Sequence, residues 1–166
     1  LRLTADATLN DSAVLAVGTL ALENFALTLD DTMAGLSVSQ AVTLDAATEQ
    51  INSGAADLTL NGGITVSAGT LSSSGGTLSA SSLSAGDAGI INIEGGTLSL
   101  PGGATAVSGA TFSTSGTTLQ LGGSLNLADT WASTTTNLSL TANADLTSTA
   151  AVEAATLETN GFNFML

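Results

Sequence analysis

The chain has 166 residues, with one basic residue, Arg2, against 14 acidic residues and a net charge of −13. This balance argues against a nucleic-acid partner, because phosphate binding draws its affinity from cationic side chains, and against anionic membrane surfaces. With neither histidine nor cysteine, the chain lacks imidazole acid–base groups, thiol nucleophiles and ordinary zinc ligands. Since 43% of the residues are hydrophobic but only 3% are aromatic, we expect a thin aliphatic core in a single domain over residues 1–166.

Short stretches in which two apolar residues flank a polar one recur along the chain. A period of two places the flanking residues on one side of an extended strand and the middle residue on the other. The middle residues are Thr, Ser, Asn and Gln, which suit an exposed sheet surface. In chain order, these predicted strands are centred on Thr43, Thr59, Thr65, Asn92, Ser99, Gln120, Asn126, Ser139 and Asn163.

The predicted strands belong to a longer repeat with a nearly constant period. The segment GGTLS at residues 75–79 returns unchanged at residues 95–99, and each period has room for three short strands. We therefore predict an all-β fold, a right-handed parallel β-solenoid with three strands and about 20 residues per turn and about eight turns. Thr77, Thr97 and Thr117 are expected to stack as a hydroxyl ladder. Glycines recur where each turn must bend, and these turn glycines are Gly69, Gly76, Gly89, Gly96, Gly109 and Gly116.

Two features allow other interpretations. An antiparallel β-sandwich or barrel also has short strands at regular spacing, but it leaves the exact return of GGTLS after one period unexplained. Residues 148–158 have the composition of a short helix. We expect a strand there instead, because Leu157 follows Leu138 by close to one period and so continues its column.

Few residues are candidates for chemistry. Asp30 and Asp31 form the only adjacent pair of carboxylates, and we interpret them as a solvated turn rather than as the paired acids of a glycosidase. Trp131 continues the column of Leu71 and Ile91, so we expect it inside the core. The sequence predicts no enzyme activity, no catalytic residue and no cofactor. A structural calcium ion stays open on the net charge alone, although no Asp-Gly pattern recurs in each turn.

The units GGTLSAS, GGTLSLPGG and GTTLQLGGSLNL, within residues 62–140, resemble the passenger repeats of bacterial autotransporters and of filamentous-haemagglutinin-like adhesins. This resemblance implies an exported, right-handed β-helix that acts as a stalk, an adhesin or a surface filament. It transfers no functional residue, because these repeats share no common site motif. The chain differs from them in its near absence of Lys and Arg.

The favoured function is structural: a rigid extracellular rod at a bacterial cell surface, belonging to an adhesin or to a self-assembling filament. The chain is interpreted as a mature subunit or a fragment of a longer surface protein. Copies of the chain, joined end to end, are the expected partner, with a host or matrix surface as a second one and no insertion into a membrane. The alternative is a polysaccharide-binding or polysaccharide-degrading β-helix. The predicted assembly interface consists of Leu1, Leu3, Phe162, Phe164, Met165 and Leu166.

Overall fold

The computed structural model describes residues 1–129, 131–148 and 152–165, and these form strands and turns without a helix. The strands stack in parallel as a β-solenoid of about seven turns, with about 21 residues per turn. In chain order they are β1 (Ala7–Leu9), β2 (Val14–Val17), β3 (Ala26–Leu29), β4 (Gly35–Val38), β5 (Val42–Leu44), β6 (Gln50–Asn52), β7 (Asp57–Leu60), β8 (Ile64–Ser73), β9 (Thr77–Ala80), β10 (Leu83–Glu94), β11 (Thr97–Leu100), β12 (Ala104–Ala106), β13 (Thr111–Ser115), β14 (Thr118–Leu121), β15 (Leu125–Leu127), β16 (Trp131–Leu140), β17 (Ala144–Ser148), β18 (Val152–Glu158) and β19 (Phe164–Met165).

Successive strands wrap around three faces of the coil. Face 1 contains β1, β3, β6, residues 70–73 of β8, residues 90–94 of β10, and β13. Face 2 contains β2, β4, β7, β9, β11, β14, residues 137–140 of β16 and residues 156–158 of β18. Face 3 contains β5, residues 64–66 of β8, residues 83–85 of β10, β12, β15, β17 and β19.

This arrangement confirms the predicted parallel coil with three strands per turn, because every pairing between described strands is parallel. The antiparallel alternative is therefore wrong. The number of turns is about seven rather than eight, because some turns are longer than the predicted period. One such turn is the one in which Leu27 pairs with Ile51. The right-handed sense stays a prediction from the general rule for parallel crossovers.

The core consists of aliphatic columns in which each side chain lies on its equivalent in the next turn. The six inner members of the longest column are at most 3% exposed. Full burial of a leucine side chain stabilises a fold by about 1.5–3 kcal/mol, so this column contributes to the attachment of every turn to the next. On face 2 it runs through Leu15, Leu36, Leu58, Leu78, Leu98, Leu119, Leu138 and Leu157.

The segment with helical composition is a strand in the described part. Residues 152–158 form β18, and Leu157 pairs with Leu138 as predicted. Residues 149–151 lie outside the described residues. Pairing with a neighbouring strand outweighs the modest helix propensity of an Ala-rich segment, because propensity is a weak preference that tertiary contacts override.

The turn glycines lie where the chain bends between faces. Five of the six have a positive φ, which side chains with a Cβ rarely adopt: Gly69, Gly76, Gly96, Gly109 and Gly116. Gly89 pairs with Gly69 of the preceding turn but lacks a positive φ. There a Cβ would overlap the carbonyl oxygen of Val66, so close approach of two backbones requires that glycine.

The predicted threonine ladder is wrong at its last member. Thr77 pairs with Thr97, but Thr118 rather than Thr117 pairs with Thr97 in the following turn, because that turn contains an extra residue. Thr117 is fully buried instead. Its hydroxyl lies within 3.1–3.3 Å of three carbonyl oxygens, those of Ile93, Gly95 and Ser115.

Candidate functional site: outer faces and ends of the solenoid

The outward side chains of the three faces are mostly small and polar. On face 2 they form two regular ranks along the axis. The ranks are Thr77, Thr97, Thr118, Asn137 and Thr156, and Thr59, Ser79, Ser99, Gln120 and Ser139. This surface offers many hydrogen-bonding groups and few charges.

Trp131 lies inside the core, as predicted. It is 2% exposed, and its Nε1–H donates to Thr114 Oγ1 at 3.1 Å. Its ring packs against Phe112 with the ring centroids 6.0 Å apart. Neither ring forms an open aromatic platform of the kind that stacks on sugars, because tryptophan is enclosed and phenylalanine is half-buried.

The adjacent carboxylates form a turn, as predicted. Asp30 Oδ1 accepts hydrogen bonds from the hydroxyl of Thr32 at 2.6 Å and from its backbone N–H at 2.9 Å. These two bonds lower the pKa of Asp30 from its ordinary value, because they favour the ionised carboxylate. Asp31 Oδ1 accepts from the backbone N–H of Ala55, one turn further on, at 3.1 Å.

Other carboxylates also connect neighbouring turns, which the sequence reasoning missed. In each case a carboxylate oxygen accepts a backbone N–H from the adjacent turn, at 2.7–2.9 Å. Hydrogen bonds to a charged acceptor are stronger than neutral ones, so these acids join turns as well as charging the surface. The signal in the sequence is an acid one period from a corner or strand start: Asp6 with Ala26, Asp57 with Thr77, and Asp129 with Gly109.

Glu49 is the one buried acid among the described residues, at 6% exposure. Its Oε2 accepts from the backbone N–H groups of Asp45 at 2.8 Å and Ala46 at 3.3 Å, and its Oε1 from that of Asn24 at 3.2 Å. Burial raises the pKa of Glu49, but these hydrogen bonds outweigh burial and lower the pKa below its ordinary value. The side chain therefore ties the long turn of residues 45–49 to the preceding turn as a charged group.

The described residues offer neither a cluster of metal ligands nor a membrane-spanning helix. No three of their carboxylates come together in an arrangement fit for a metal ion, so calcium stays a hypothesis from the net charge. No helix with the length and apolarity of a membrane span occurs among them either.

A polar groove runs along face 1 and its corner with face 2. Four successive turns contribute to it, each with one or more side chains that carry oxygen or nitrogen. We name it the face-1 groove, and its polar lining residues are Thr28, Asp30, Asp31, Asn52, Ser72, Ser73, Ser74, Asn92 and Glu94.

The N-terminal end of the coil exposes part of the core. Val14 is 60% exposed, Leu15 is 37% exposed and Leu1 is 38% exposed. The prediction that Leu3 belongs to an exposed interface is wrong, because Leu3 is 5% exposed and lies inside the first turn. Its backbone N–H donates to the carbonyl oxygen of Ala21. Val14 and Leu15 are therefore the apolar surface at this end that the sequence reasoning missed.

The C-terminal end also exposes apolar side chains. Leu157 is 47% exposed, Phe162 39% and Met165 62%, whereas Phe164 packs partly against the core. Leu166, the last residue of the predicted interface, lies outside the described residues. An apolar pocket opens at this end, and the side chains that line it include Leu138, Leu146, Leu157 and Phe164.

Comparisons of the chain with protein-family models, with curated protein sequences and with solved structures found no match. The resemblance to autotransporter passengers and haemagglutinin-like adhesins therefore rests on the repeat units alone, and that family stays a prediction. The fold itself does not depend on the resemblance, because the strand register between turns defines a β-solenoid directly.

Proposed function

We propose that this chain is a rigid structural rod at a bacterial cell surface, exported from the cell, acting in the stalk of an adhesin or as the subunit of a filament. The observation that carries the proposal is the leucine column of face 2. It runs unbroken from Leu15 to Leu157, with buried inner members and exposed outer ones. No catalytic step is part of the proposal.

A rod needs turns that do not slide or separate, and several features of this coil meet that need. Each turn pairs with the next through parallel strands on three faces, and a slip by a single position would turn a core leucine outward. Buried hydroxyls satisfy backbone carbonyls between strands: Ser73 Oγ donates to the carbonyl oxygen of Gly54 at 3.2 Å or of Gly75 at 2.7 Å. Small polar residues cover the sides, which favours a spacer over an enzyme cleft.

The ends of the rod are suited to stacking of one copy on another. Strands β2 and β18 are the outer strands of face 2, so each offers unpaired backbone on one side among the described residues. Leu15 and Leu157 are the two ends of one column, and a second copy in the same register would continue it at the ordinary strand spacing. A head-to-tail contact of this kind does not close on itself and therefore produces a filament.

The apolar side chains exposed at the two ends also favour this pairing. Apolar Val14 and Leu15 would face the pocket formed by Leu138, Leu146 and Phe164. The apolar surface of the first turn of one copy thus complements that of the last turn of the next.

Substitution of the column ends tests the filament. Leu15→Lys and Leu157→Glu each place a charge in the joint, and each alone should abolish polymers seen by electron microscopy and sedimentation. The double variant Leu15→Lys/Leu157→Glu should polymerise again, because the two charges then meet across each joint. Ser99→Glu, outward in the middle of face 2, is the matched control and should polymerise normally.

Deletion of residues 162–166 gives a second test of the same joint. The shortened chain should stay monomeric while keeping its β-sheet circular dichroism. The filament is disproved if the intact chain remains monomeric at high concentration, or if the shortened chain polymerises equally well. Either outcome leaves the rod itself in place, provided that small-angle scattering still shows an elongated particle.

A further inference from the structure

We propose that the face-1 groove binds a cationic amino-sugar polymer, such as a chain of glucosamine units, laid along the axis of the coil. This role goes beyond the structural one and does not depend on filament formation. A rod that serves only as a support does not need a polar, acidic groove on its side. The proposal gives this groove a ligand.

The groove repeats the same kind of group at each turn. Thr28 pairs with Asn52, Asn52 with Ser72, and Ser72 with Asn92. Strands of a sheet lie about 4.8 Å apart, so this rank spans about 14 Å over four turns. An extended polymer lying along the axis therefore meets one hydroxyl or amide per turn, which suits a ligand that also repeats.

The charges of the groove favour a cationic ligand. Asp30 and Asp31 lie at one end of the rank and Glu94 at the other, and all three reach solvent. The chain has a single Lys or Arg, and that residue, Arg2, pairs with Glu23 at 3.1 Å. The groove carboxylates thus have no basic side chain to neutralise them, and protonated amines complement them best.

The lining side chains retain hydrogen-bonding capacity of both kinds. Asn52 Oδ1 accepts from the backbone N–H of Gly54 at 3.0 Å, which leaves its amide N–H groups as donors among the described contacts. Asn92 Nδ2 donates to Glu94 Oε1 at 3.3 Å, which leaves the Asn92 carbonyl oxygen as an acceptor. Sugar hydroxyls both donate and accept, so they match this mixture, whereas a protonated amine only donates.

An apolar contact lies beside the rank. Ile90 is 41% exposed on an otherwise polar part of face 1, two positions before Asn92 and so on the same side of the strand. The outward residues that precede it in this column are Gln50 and Thr70. Ile90 therefore offers a surface for the apolar side of a sugar ring, which a linear polyamine does not use.

Calorimetric titration with the hexamer of glucosamine tests the proposal. The N-acetylated hexamer, which has lost its charge, and an acidic galacturonate hexamer should not bind measurably. The triple variant Asp30→Asn/Asp31→Asn/Glu94→Gln should bind at least about tenfold more weakly, because three exposed ion pairs are lost. Asparagine and glutamine still accept the local hydrogen bonds, but more weakly than carboxylates do, so a small fall in melting temperature is expected and binding is measured well below it.

A control variant separates the groove from general charge attraction. Asp87→Asn/Glu153→Gln/Glu158→Gln changes the net charge equally at exposed positions outside the groove, and its affinity should stay within about twofold of the parent. An equal loss in both triple variants overturns the proposal, as does undiminished binding by the groove variant.

The linear tetra-amine spermine and the variant Asn52→Ala/Ile90→Ser separate a sugar site from a plain cation site. This variant should weaken the glucosamine hexamer and leave spermine unaffected. If it changes neither ligand, or if spermine binds as tightly as the hexamer, the groove attracts cations without recognising sugars and the proposal fails.

Discussion

The corner glycines show, residue by residue, that two separate constraints select glycine in this coil. Gly96 and Gly116 both have a positive φ, +67° and +64°. At Gly96 a Cβ would also overlap the carbonyl oxygen of Gly76 in the adjacent turn, whereas at Gly116 nothing lies within 4 Å of the same position. The two sites therefore separate backbone conformation from close packing.

Alanine at these two sites measures the difference. Gly116→Ala should cost about 1–2 kcal/mol, the cost of a left-handed conformation for a residue with a Cβ. Gly96→Ala should cost more, because the neighbouring backbone must also move. Urea denaturation followed by circular dichroism measures both. If both variants lost the same free energy of unfolding, the backbones of adjacent turns at Gly96 could move apart with no loss of stability.

Glu49 predicts a dependence of stability on pH. Its folded-state pKa lies below the ordinary value of 4.5, so the ionised form favours folding. That contribution is complete above the unfolded-state pKa and is lost as the pH falls through the lower folded-state pKa. Glu49→Gln should therefore cost about 1–3 kcal/mol at pH 7, because hydrogen bonds to a charged group are weakened.

Chemical denaturation at pH 7 and in the acid range checks this expectation. The difference in the free energy of unfolding between Glu49→Gln and the parent should shrink as the pH falls below 4.5. Glu153→Gln removes an exposed carboxylate and is the control, with little effect at either pH. If this difference in stability stayed constant across the pH range, the substitution would act through altered packing and not through the loss of a charged hydrogen-bond acceptor.

Among the strands, the leucine column of face 2 sets the register of the coil. Leu98 is fully buried between Leu78 and Leu119, whereas Leu157 at the column end is 47% exposed. Leu98→Asp should prevent folding, because an unpaired charge in a thin core has no partner. Leu157→Asp should fold with a small loss of stability. A soluble, cooperatively melting Leu98→Asp protein would contradict the register described for face 2.

The strands and their pairing could be predicted from the sequence because identical residues recur at a fixed spacing. Leu78 and Leu98 pair as their spacing predicts, and Leu157 pairs with Leu138. The prediction failed where a turn gains an extra residue, since Thr117 then points inward and Thr118 takes its place. A repeat in the sequence predicts which residues stack, but it does not show at which bend an extra residue is accommodated.

The candidate sites were less predictable for a similar reason. The rank of the face-1 groove joins Thr28 to Asn52 through an unusually long turn, which no fixed period identifies. Glu49 gave no sequence signal, because its partners are backbone N–H groups of a long turn and of the turn before it. Leu3 was expected at an interface, and its burial depends on how the first turn closes.

For the whole molecule, the repeat implies that stability is a sum of similar turns and the contacts between neighbours. The same columns of buried side chains pass through successive turns, so the core is shared among the turns. The turns should therefore be removable as units, provided that the cut keeps every column in register. The pair of GGTLS segments provides such a cut.

Deletion of residues 75–94 removes one complete turn and joins Ser74 to Gly95, so that GGTLS still follows the same serines. Leu98 then lies on Leu58, and residues 111–114 on residues 70–73, as their shared columns allow. The shortened chain should fold cooperatively with lower stability, and small-angle scattering should show a rod shorter by about 4.8 Å. Deletion of residues 75–84 alone removes half a turn, shifts every later strand to another face and should leave the chain unfolded. If both deletions fold equally well, or neither folds, stability does not reside in interchangeable turns.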